Sequence, residues 1–382
     1  MLNTMIKNQA LGIIFPNSYD GLVPELVTER LMASIPFASR YRIVDFLISS
    51  MARSGITNIS LVARENYLSL MDHIGSGREW DLARKNGGLN LIPPFAQKEA
   101  KVYNGRVEAL QNIKGFLLNQ KEKYVILADS NSIANFNFTD LLERHIKSGA
   151  DVTAVYRKAE IPSAFKNPCR TKRELYYTFE LDGNRISHIL INSKEDGIVN
   201  YSMNIYVVER ELLIRLIDDA YILGFTCFER DVLATQVDML NIQGYWYKGY
   251  VAYIHDMKSY FDENIKLLQA ENIKSLFEPG QISTKIRDDN PTRYIKGAKV
   301  KNIMAADGCV IEGEVENSIL FRGVKIKKGA KVKNCVLMQD TVVGENVNLE
   351  YVITDKNVKI TNGKSLAGTD SFQVYVAKKQ IV

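Results

Sequence analysis

The residues best suited to chemistry lie where two short apolar stretches of the chain end. Residues 10–15 are apolar and run into the turn-forming segment 16–21, which predicts a buried strand ending in a loop that contains Gly21. Residues 124–128 are also apolar and end at Asp129. A carboxylate in such a place could bind magnesium beside phosphate groups, although a strand-ending aspartate is commonly a helix cap or a turn former. From residue types alone, the loop is better explained as an ordinary strand-to-helix turn.

A helix and a second strand are predicted after this loop. Residues 42–52 carry apolar side chains at three- and four-residue spacing, which indicates an amphipathic helix. Gly55 would end the helix, and residues 56–62 would form the next strand. The order of strand, loop, helix and strand is typical of an open parallel sheet in an α/β domain, where ligands bind at the carboxyl ends of the strands.

The C-terminal part of the chain repeats with a step of 17 residues. Three sets of positions keep this step, and they are Ile319, Val336 and Ile353; Val324, Thr341 and Val358; and Ile326, Val343 and Ile360. Such a period, divided into short strands by glycine, predicts the stacked coils of a parallel β-helix. A β-sandwich with accidental spacing is a weak alternative because three registers agree. The stack has open edges, so we expect it to pack on the first domain or on another subunit.

Composition argues against several classes of function. The 382 residues are 46% hydrophobic and 24% charged, with a net charge of +5 from 49 basic and 44 acidic residues. No basic run with interleaved aromatic residues indicates a nucleic-acid partner, and no apolar run is long enough for a membrane span. The four cysteines are far apart, which argues against a zinc site and favours a reducing compartment. Because the N-terminus lacks the pattern of a secretory signal, the expected location is the cytoplasm.

The segment 36–56, PFASRYRIVDFLISSMARSGI, resembles the segment that follows the phosphate loop in the ADP-glucose pyrophosphorylase (glucose-1-phosphate adenylyltransferase) family. The similarity extends along the whole chain. It implies an α/β, nucleotidyltransferase-like (Rossmann-like) domain with a mixed sheet, followed by a C-terminal left-handed parallel β-helix. The expected boundaries are 1–275 for the first domain, 276–297 for a linker and 298–382 for the β-helix.

The loop departs from the pattern of the catalytic members of that family. Those members carry Gly-Gly-x-Gly-Thr-Arg and, further on, Arg-Ala-Lys-Pro. An alignment without gaps places the catalytic arginine at Leu22 and the lysine at Met32, so both cations are missing. The loop also adds Asp20, a negative charge where phosphate should bind. Because the loss of one arginine that stabilises a transferring phosphate lowers the rate by about 10³ to 10⁵, we predict little or no activity for the chain alone.

The resemblance also implies positions for the other ligand-binding residues. The segment 102–111 resembles Tyr-x-Gly-Thr-Ala-Asp-Ala-Val, with Arg106 in place of the threonine, and Asp129 and Asp256 correspond to two magnesium carboxylates. Asn204 replaces a glycine of the sugar pocket, where its bulk should crowd a sugar. The nucleotide-pocket candidates are Asn17, Ser18, Asp20, Gly21, Arg30, Arg64, Gly105 and Arg106, and the sugar-pocket candidates are Asn192, Ser202 and Asn204.

These substitutions resemble those of the GlgD-type subunits of the family. The implied function is that of a regulatory subunit in glycogen biosynthesis. Such a subunit binds a catalytic homologue that makes ADP-glucose and pyrophosphate from ATP and glucose 1-phosphate. The expected assembly is a hetero-oligomer, a tetramer by preference, with self-association as a further possibility.

Two alternatives stay open. The chain could be a working transferase in which Asp129 and Asp256 hold Mg²⁺ while Arg30 or Arg106 replaces the missing cations. It could instead be a sensor that binds a nucleotide or a sugar phosphate without chemistry. Magnesium is not required if the chain is not catalytic.

Overall fold

The computed structural model describes residues 9–94, 103–166 and 174–382. Its N-terminal part is built on a sheet that has nine strands within these ranges. In spatial order the strands are Gly88–Ile92, Asn58–Val62, Ala10–Phe15, Tyr124–Asp129, Ile198–Glu209, Val152–Glu160, Ile242–Trp246, Arg185–Ile191 and Tyr177–Asp182. Two small strand pairs lie outside this sheet, and they are Pro36–Phe37 with Tyr41–Arg42 and Ser132–Ile133 with Ala252–Tyr253.

The large sheet is mixed, as the resemblance implies. Its first four strands in spatial order are parallel, whereas Ile198–Glu209 runs antiparallel to both of its neighbours. Ala10–Phe15 pairs with Tyr124–Asp129, and this pairing puts Phe15 opposite Asp129. The loop that follows Phe15 therefore starts beside the Asp129 carboxylate, at the carboxyl ends of both strands.

Helices cover both faces of the sheet. Alternate side chains of Ala10–Phe15 belong to two cores, one shared with helix Arg210–Ile222 and the other with helix Ile43–Arg53. The latter lies within one residue of the predicted helix, because Asp45 accepts a backbone N–H bond at its start and Gly55, with φ +78°, follows its end.

The helices differ in length, and none of those in the described ranges combines the length and apolar character needed to cross a membrane. The α-helices are Ile43–Arg53, Leu68–Ile74, Arg106–Asn112, Lys114–Leu118, Phe138–Ser148, Ser163–Lys166, Arg210–Ile222, Met257–Lys266 and Ala270–Phe277. Short 3₁₀ turns lie at Asp20–Leu22, Met32–Ser34 and Arg78–Trp80, and a π-helical turn lies at Phe228–Leu233.

The C-terminal part is a stack of short parallel strands, which confirms the predicted β-helix. These strands are Arg293–Tyr294, Lys299–Ala305, Val310–Ile311, Glu314–Leu320, Lys325–Ile326, Lys331–Lys333, Val336–Leu337, Val342–Val343, Asn348–Glu350, Val352–Thr354, Lys359–Ile360, Ser365–Ala367 and Val374–Val376. The predicted step of 17 residues is confirmed where Ile319 lies opposite Val336 and where Val336 lies opposite Ile353.

The first coils of the stack are shorter than the repeat predicts. Lys299 lies opposite Glu314, which is a step of 15 residues. The strand Arg293–Tyr294 already pairs with Val310–Ile311, so the first rung lies inside the segment 276–297 that was expected to be a linker. The 17-residue pattern could not reveal these coils because their turns are two residues shorter.

The β-helix packs on the first domain through a shared core. Leu22 and Met32 lie in one buried cluster with Phe321 of the β-helix. The same contact includes a buried ion pair, in which the Arg30 guanidinium donates to both carboxylate oxygens of Asp355 at 2.6 and 2.7 Å. This is one of the two packing arrangements expected for the open stack.

The buried pair of Arg30 and Asp355 makes a large contribution to stability testable. Arg30→Ala should lower the free energy of unfolding by about 3 to 5 kcal/mol, because it leaves the Asp355 carboxylate buried without its cation. Urea unfolding measures the change. Arg84→Ala is the control, since Arg84 pairs with Asp81 at the surface and should change little. Equal effects of the two substitutions would contradict this role for the pair.

Candidate functional site

A cavity of about 570 Å³ opens at the carboxyl ends of the strands Ala10–Phe15 and Tyr124–Asp129. Its position is the one expected for a ligand site in a sheet of this kind. The lining residues with side chains that could contact a ligand include Asn17, Ser18, Tyr19, Asp20, Arg64, Glu65, Tyr103, Arg106, Asp129, Glu174, Tyr177, Cys227, Glu229 and Arg230.

Most of the predicted nucleotide-pocket residues line this cavity, and the other candidates do not. The structure brings together Asn17, Ser18, Asp20, Gly21, Arg64, Gly105 and Arg106, and it adds Asp129 to them. Arg30 lies elsewhere, contrary to expectation, because its guanidinium is bound to Asp355 of the β-helix. The lining also excludes the remaining predicted ligands, which are Asp256, Asn192, Ser202 and Asn204.

The loop after the first strand uses its polar groups to hold itself together. The Asn17 side-chain amide donates to the Asp20 carboxylate at 2.8 Å, and its carbonyl oxygen accepts the backbone N–H of Arg64 at 2.7 Å. The other oxygen of Asp20 accepts the backbone N–H of Met32 at 2.6 Å. Asp20, which sequence analysis identified as an added negative charge, is therefore a structural brace of the loop.

Leu22 and Met32 occupy the core between the two domains instead of the cavity. Their exposed fractions are 3% and 0%, and both belong to the buried cluster that includes Val23 and Ile35. The positions that the resemblance assigns to a catalytic arginine and lysine thus carry side chains buried against apolar neighbours. A charged side chain at either position would lose its hydration unless the backbone moved.

Arg106 is the central charge of the cavity. Its guanidinium donates to Asp129 at 2.6 Å and to the Glu229 carboxylate, and all three side chains are at least nine-tenths buried. Ser18 completes the cluster, because its hydroxyl donates to the same Asp129 oxygen at 2.7 Å. Burial lowers the pKa of Arg106, but the carboxylates of Asp129 and Glu229 outweigh burial and raise it above the usual value, so the guanidinium stays charged.

The two carboxylates of this cluster respond to opposing influences. Burial raises the pKa of Asp129, and the guanidinium of Arg106 with the hydroxyl of Ser18 acts against that rise. Burial also raises the pKa of Glu229, again opposed by Arg106. Arg106 is therefore the group that favours the ionised form of both acids.

The side chains expected to bind magnesium do not fit that ion. One oxygen of Asp129 already accepts hydrogen bonds from Ser18 and Arg106. Asp256 caps helix Met257–Lys266 instead, where its carboxylate accepts the backbone N–H of Ser259 at 2.7 Å. No cluster of three or more His, Cys, Asp or Glu side chains suited to a metal occurs in the described ranges.

The caps of Asp256 explain its electrostatic state. Burial raises its pKa, but the neighbouring His255 and the hydrogen bonds from Ser259 outweigh burial and lower the pKa below the usual value for aspartate. This carboxylate is stabilised as an anion by its own helix, without a metal ion.

The predicted sugar-pocket residues form buried hydrogen bonds within the protein. Asn204 has a φ of +52°, and its side-chain amide donates to the Tyr19 hydroxyl at 2.7 Å. Ser202 donates to the side-chain oxygen of Asn204 at 3.2 Å. Asn192 accepts the backbone N–H of Tyr176 at 3.1 Å in a separate turn. These contacts assign the three residues to the support of the strands and the loop.

Sequence reasoning missed Glu229 and Tyr19. Glu229 lies in the segment that resembles the family near Arg230 and Asp231, but the pattern gives no sign that it is the buried partner of Arg106. Tyr19 fills space between the loop and the sheet, since its hydroxyl donates to the Leu175 carbonyl at 2.9 Å. The only available signal was a large side chain in a loop where the related pattern favours small ones.

The cations that line the cavity are all paired within its described lining. Arg64 pairs with Glu65 at 2.6 Å, Arg230 pairs with Asp231 at 2.5 Å, and Arg106 has two carboxylate partners. The lining carboxylates outnumber the arginines, and they are Asp20, Glu65, Asp129, Glu174 and Glu229. Such a cavity is poorly suited to a polyphosphate, which needs cations or free N–H groups to offset its charge.

The Asp20 carboxyl gives folding stability a pH dependence. Burial raises its pKa from 3.8 to about 7, although hydrogen bonds from Asn17 and Met32 act in the opposite direction. Because the pKa is higher in the folded chain, proton binding stabilises the fold fully below about pH 4, and this contribution is lost as the pH rises through 7.

Relative to Asp20→Asn, the wild type should therefore lose about 2 to 4 kcal/mol of unfolding free energy between pH 4 and pH 8. Urea unfolding of both proteins across this range measures the difference. The Asn variant is its own control, because it lacks the titrating carboxyl. A difference that stays constant with pH would contradict the raised pKa.

Comparisons with known proteins agree with this architecture. Residues 26–165 match the family model described as nucleotidyl transferase, and residues 284–374 match that of the GlmU-like C-terminal hexapeptide. The glycogen biosynthesis protein GlgD of Bacillus subtilis (strain 168) is 34% identical over 380 residues, which cover 99% of this chain and 98% of that protein. GlgD of Geobacillus stearothermophilus is also 34% identical, over 86% of this chain and 84% of the relative.

A more distant relative carries the name of an enzyme. The glucose-1-phosphate adenylyltransferase of Clostridium perfringens (strain SM101 / Type A) is 27% identical over 99% of this chain and 98% of its own length. The predicted fold and the resemblance to this wider family are thereby confirmed. Because its similarity to the GlgD proteins is higher and spans nearly the full length, the chain belongs to the GlgD family of glycogen biosynthesis proteins.

Proposed function

We propose that this chain is a GlgD-type subunit of glycogen biosynthesis in the cytoplasm that makes little or no ADP-glucose by itself and modulates a catalytic homologue. The catalytic partner would convert ATP and glucose 1-phosphate to ADP-glucose and pyrophosphate. The observation that carries the proposal is the state of the cavity. Leu22 and Met32 are buried in the core between the domains, and each lining arginine is already paired with a carboxylate.

The chemistry of phosphoryl and nucleotidyl transfer explains why this state matters. Charge builds up on the leaving pyrophosphate, and a transferase lowers the barrier with cations that are in place before the reaction. Here the loop spends its hydrogen bonds on Asp20, and the nearest buried cation, Arg106, is held by Asp129 and Glu229. A ligand phosphate would have to compete with two carboxylates for that guanidinium.

Modulation of a partner requires contacts that differ between its active and inactive states. The family relationship to glucose-1-phosphate adenylyltransferases supports a hetero-oligomer, with a tetramer as the expected assembly. The first domain and the β-helix are joined by a shared core, so a contact made by one domain bears on the other.

Two measurements test the proposal together. The purified chain should form no ADP-glucose above background from ATP and glucose 1-phosphate, and tagged chain should co-purify with the glucose-1-phosphate adenylyltransferase of the same cells. Addition of the chain should change the KM or kcat of that enzyme. Turnover by the chain alone at the rate of the enzyme would refute the proposal, and so would the absence of any association or kinetic effect.

The size of the cavity favours a second candidate function, that of a non-catalytic sensor. A volume of about 570 Å³ falls within the range of small-molecule sites. Calorimetry with ATP, ADP-glucose and glucose 1-phosphate distinguishes the two candidates. Heat of saturable binding without turnover would support a sensor, and its absence would support a subunit that acts only through protein contacts.

Restoring the missing cations should not restore activity. The double substitution Leu22→Arg with Met32→Lys puts charges into a buried apolar cluster, so it should lower the free energy of unfolding by about 3 kcal/mol or more and produce no ADP-glucose. Urea unfolding and the transferase assay measure the two effects. The matched control, Leu22→Met with Met32→Leu, keeps apolar side chains and should be much less destabilising. A stable, active Arg/Lys variant would contradict the assignment of both positions to the core.

A further inference from the structure

We infer that the Arg106 guanidinium takes the place of a divalent cation at Asp129, so that this cavity neutralises its buried carboxylates with a side chain and excludes metal. The inference does not rest on the proposed function, because a chain that modulates no partner would still carry its own cation. It addresses the one group, magnesium, that the family resemblance implies and that the side chains do not fit.

The distances leave no room for both cations. The guanidinium nitrogen of Arg106 lies 2.6 Å from the Asp129 oxygen that also accepts the Ser18 hydroxyl. Magnesium needs the same oxygen at about 2.0 to 2.1 Å and keeps several bound waters around it in an octahedron. An ion with that shell would overlap the guanidinium, so binding of one requires removal of the other.

The guanidinium is held on its faces as well as on its edge. Its central carbon lies 4.8 Å from the centre of the Phe15 ring and 5.7 Å from that of the Tyr206 ring. A cation that is flanked by aromatic rings and paired with Asp129 and Glu229 has favourable contacts in several directions. Because it is tethered to the chain, it also competes with a dissolved metal ion without losing translational freedom on binding.

The backbone around Arg106 is shaped to bring it to this place. Gly105 precedes helix Arg106–Asn112, and a Cβ atom at Gly105 would lie 2.2 Å from the carbonyl oxygen of Thr226. The backbone N–H of Val107 donates to that carbonyl at 3.1 Å. The start of the helix is thus pressed against the segment that carries Glu229, which explains how Arg106 reaches both carboxylates.

Titration of the full chain with Mn²⁺, followed by the electron paramagnetic resonance of free Mn²⁺, tests the inference without any activity assay. The wild type should show no saturable site in the cavity up to about 1 mM, which is the weak end of protein sites for hard divalent cations. Arg106→Ser uncovers Asp129 and Glu229 and should bind one Mn²⁺ at least about tenfold more tightly than the wild type. Arg106→Lys keeps the charge and should behave like the wild type.

Thermal unfolding provides an independent readout. Arg106→Ser should melt at a lower temperature than the wild type because two buried carboxylates lose their cation, and Mn²⁺ should raise its Tm by several degrees. The same ionic strength of NaCl should not. Adding Asp129→Asn to Arg106→Ser should abolish the response to Mn²⁺.

Three results would overturn the inference. The first is saturable Mn²⁺ binding by the wild type that Asp129→Asn abolishes. The second is a folded Arg106→Ser protein that gains no Mn²⁺ binding. If Arg106→Ser does not fold, Arg106→Ser with Glu229→Gln leaves one uncompensated carboxylate instead of two, and failure of that folded variant to gain Mn²⁺ at Asp129 is the third.

Discussion

A buried positive charge between two carboxylates determines what the cavity at the end of the sheet can accept. Arg106 lies between Asp129 and Glu229, and each of the three side chains would be costly to bury without the others. The favourable contacts of this cluster are therefore made before any ligand arrives. In a nucleotide-transferring site the corresponding contacts are left for the ligand and its metal ion.

The loop and the interface between the domains follow the same economy of contacts. A loop that binds phosphate needs open backbone N–H groups and nearby cations. This loop closes on itself through Asn17 and Asp20, while Leu22 and Met32 pack into the core shared with the β-helix. Loss of the cations thus adds apolar contact between the domains, which explains how the scaffold stays well packed although the groups expected for chemistry are absent.

Local patterns in the sequence predicted the framework well. Helix Ile43–Arg53 and the coils with a 17-residue step follow from side-chain period and from glycine, because both depend on neighbours close in the chain. The strand-ending position of Asp129 was equally accessible. The family resemblance identified Arg106 as a substitution, but not its partners.

Contacts between distant residues could not be read from those patterns. Arg30 is bound to Asp355, far along the chain in the β-helix, so its assignment to the nucleotide pocket failed although its position in the related motif is kept. Asp256 was matched to a metal ligand but caps its own helix. The segment from Asp20 to Met32 shows the consequence, since Asp20 lines the cavity and binds Met32, while Arg30 in the same segment binds the β-helix. One short stretch is thereby fixed to both domains, and a change in the cavity loop cannot occur without a change in the contact between them.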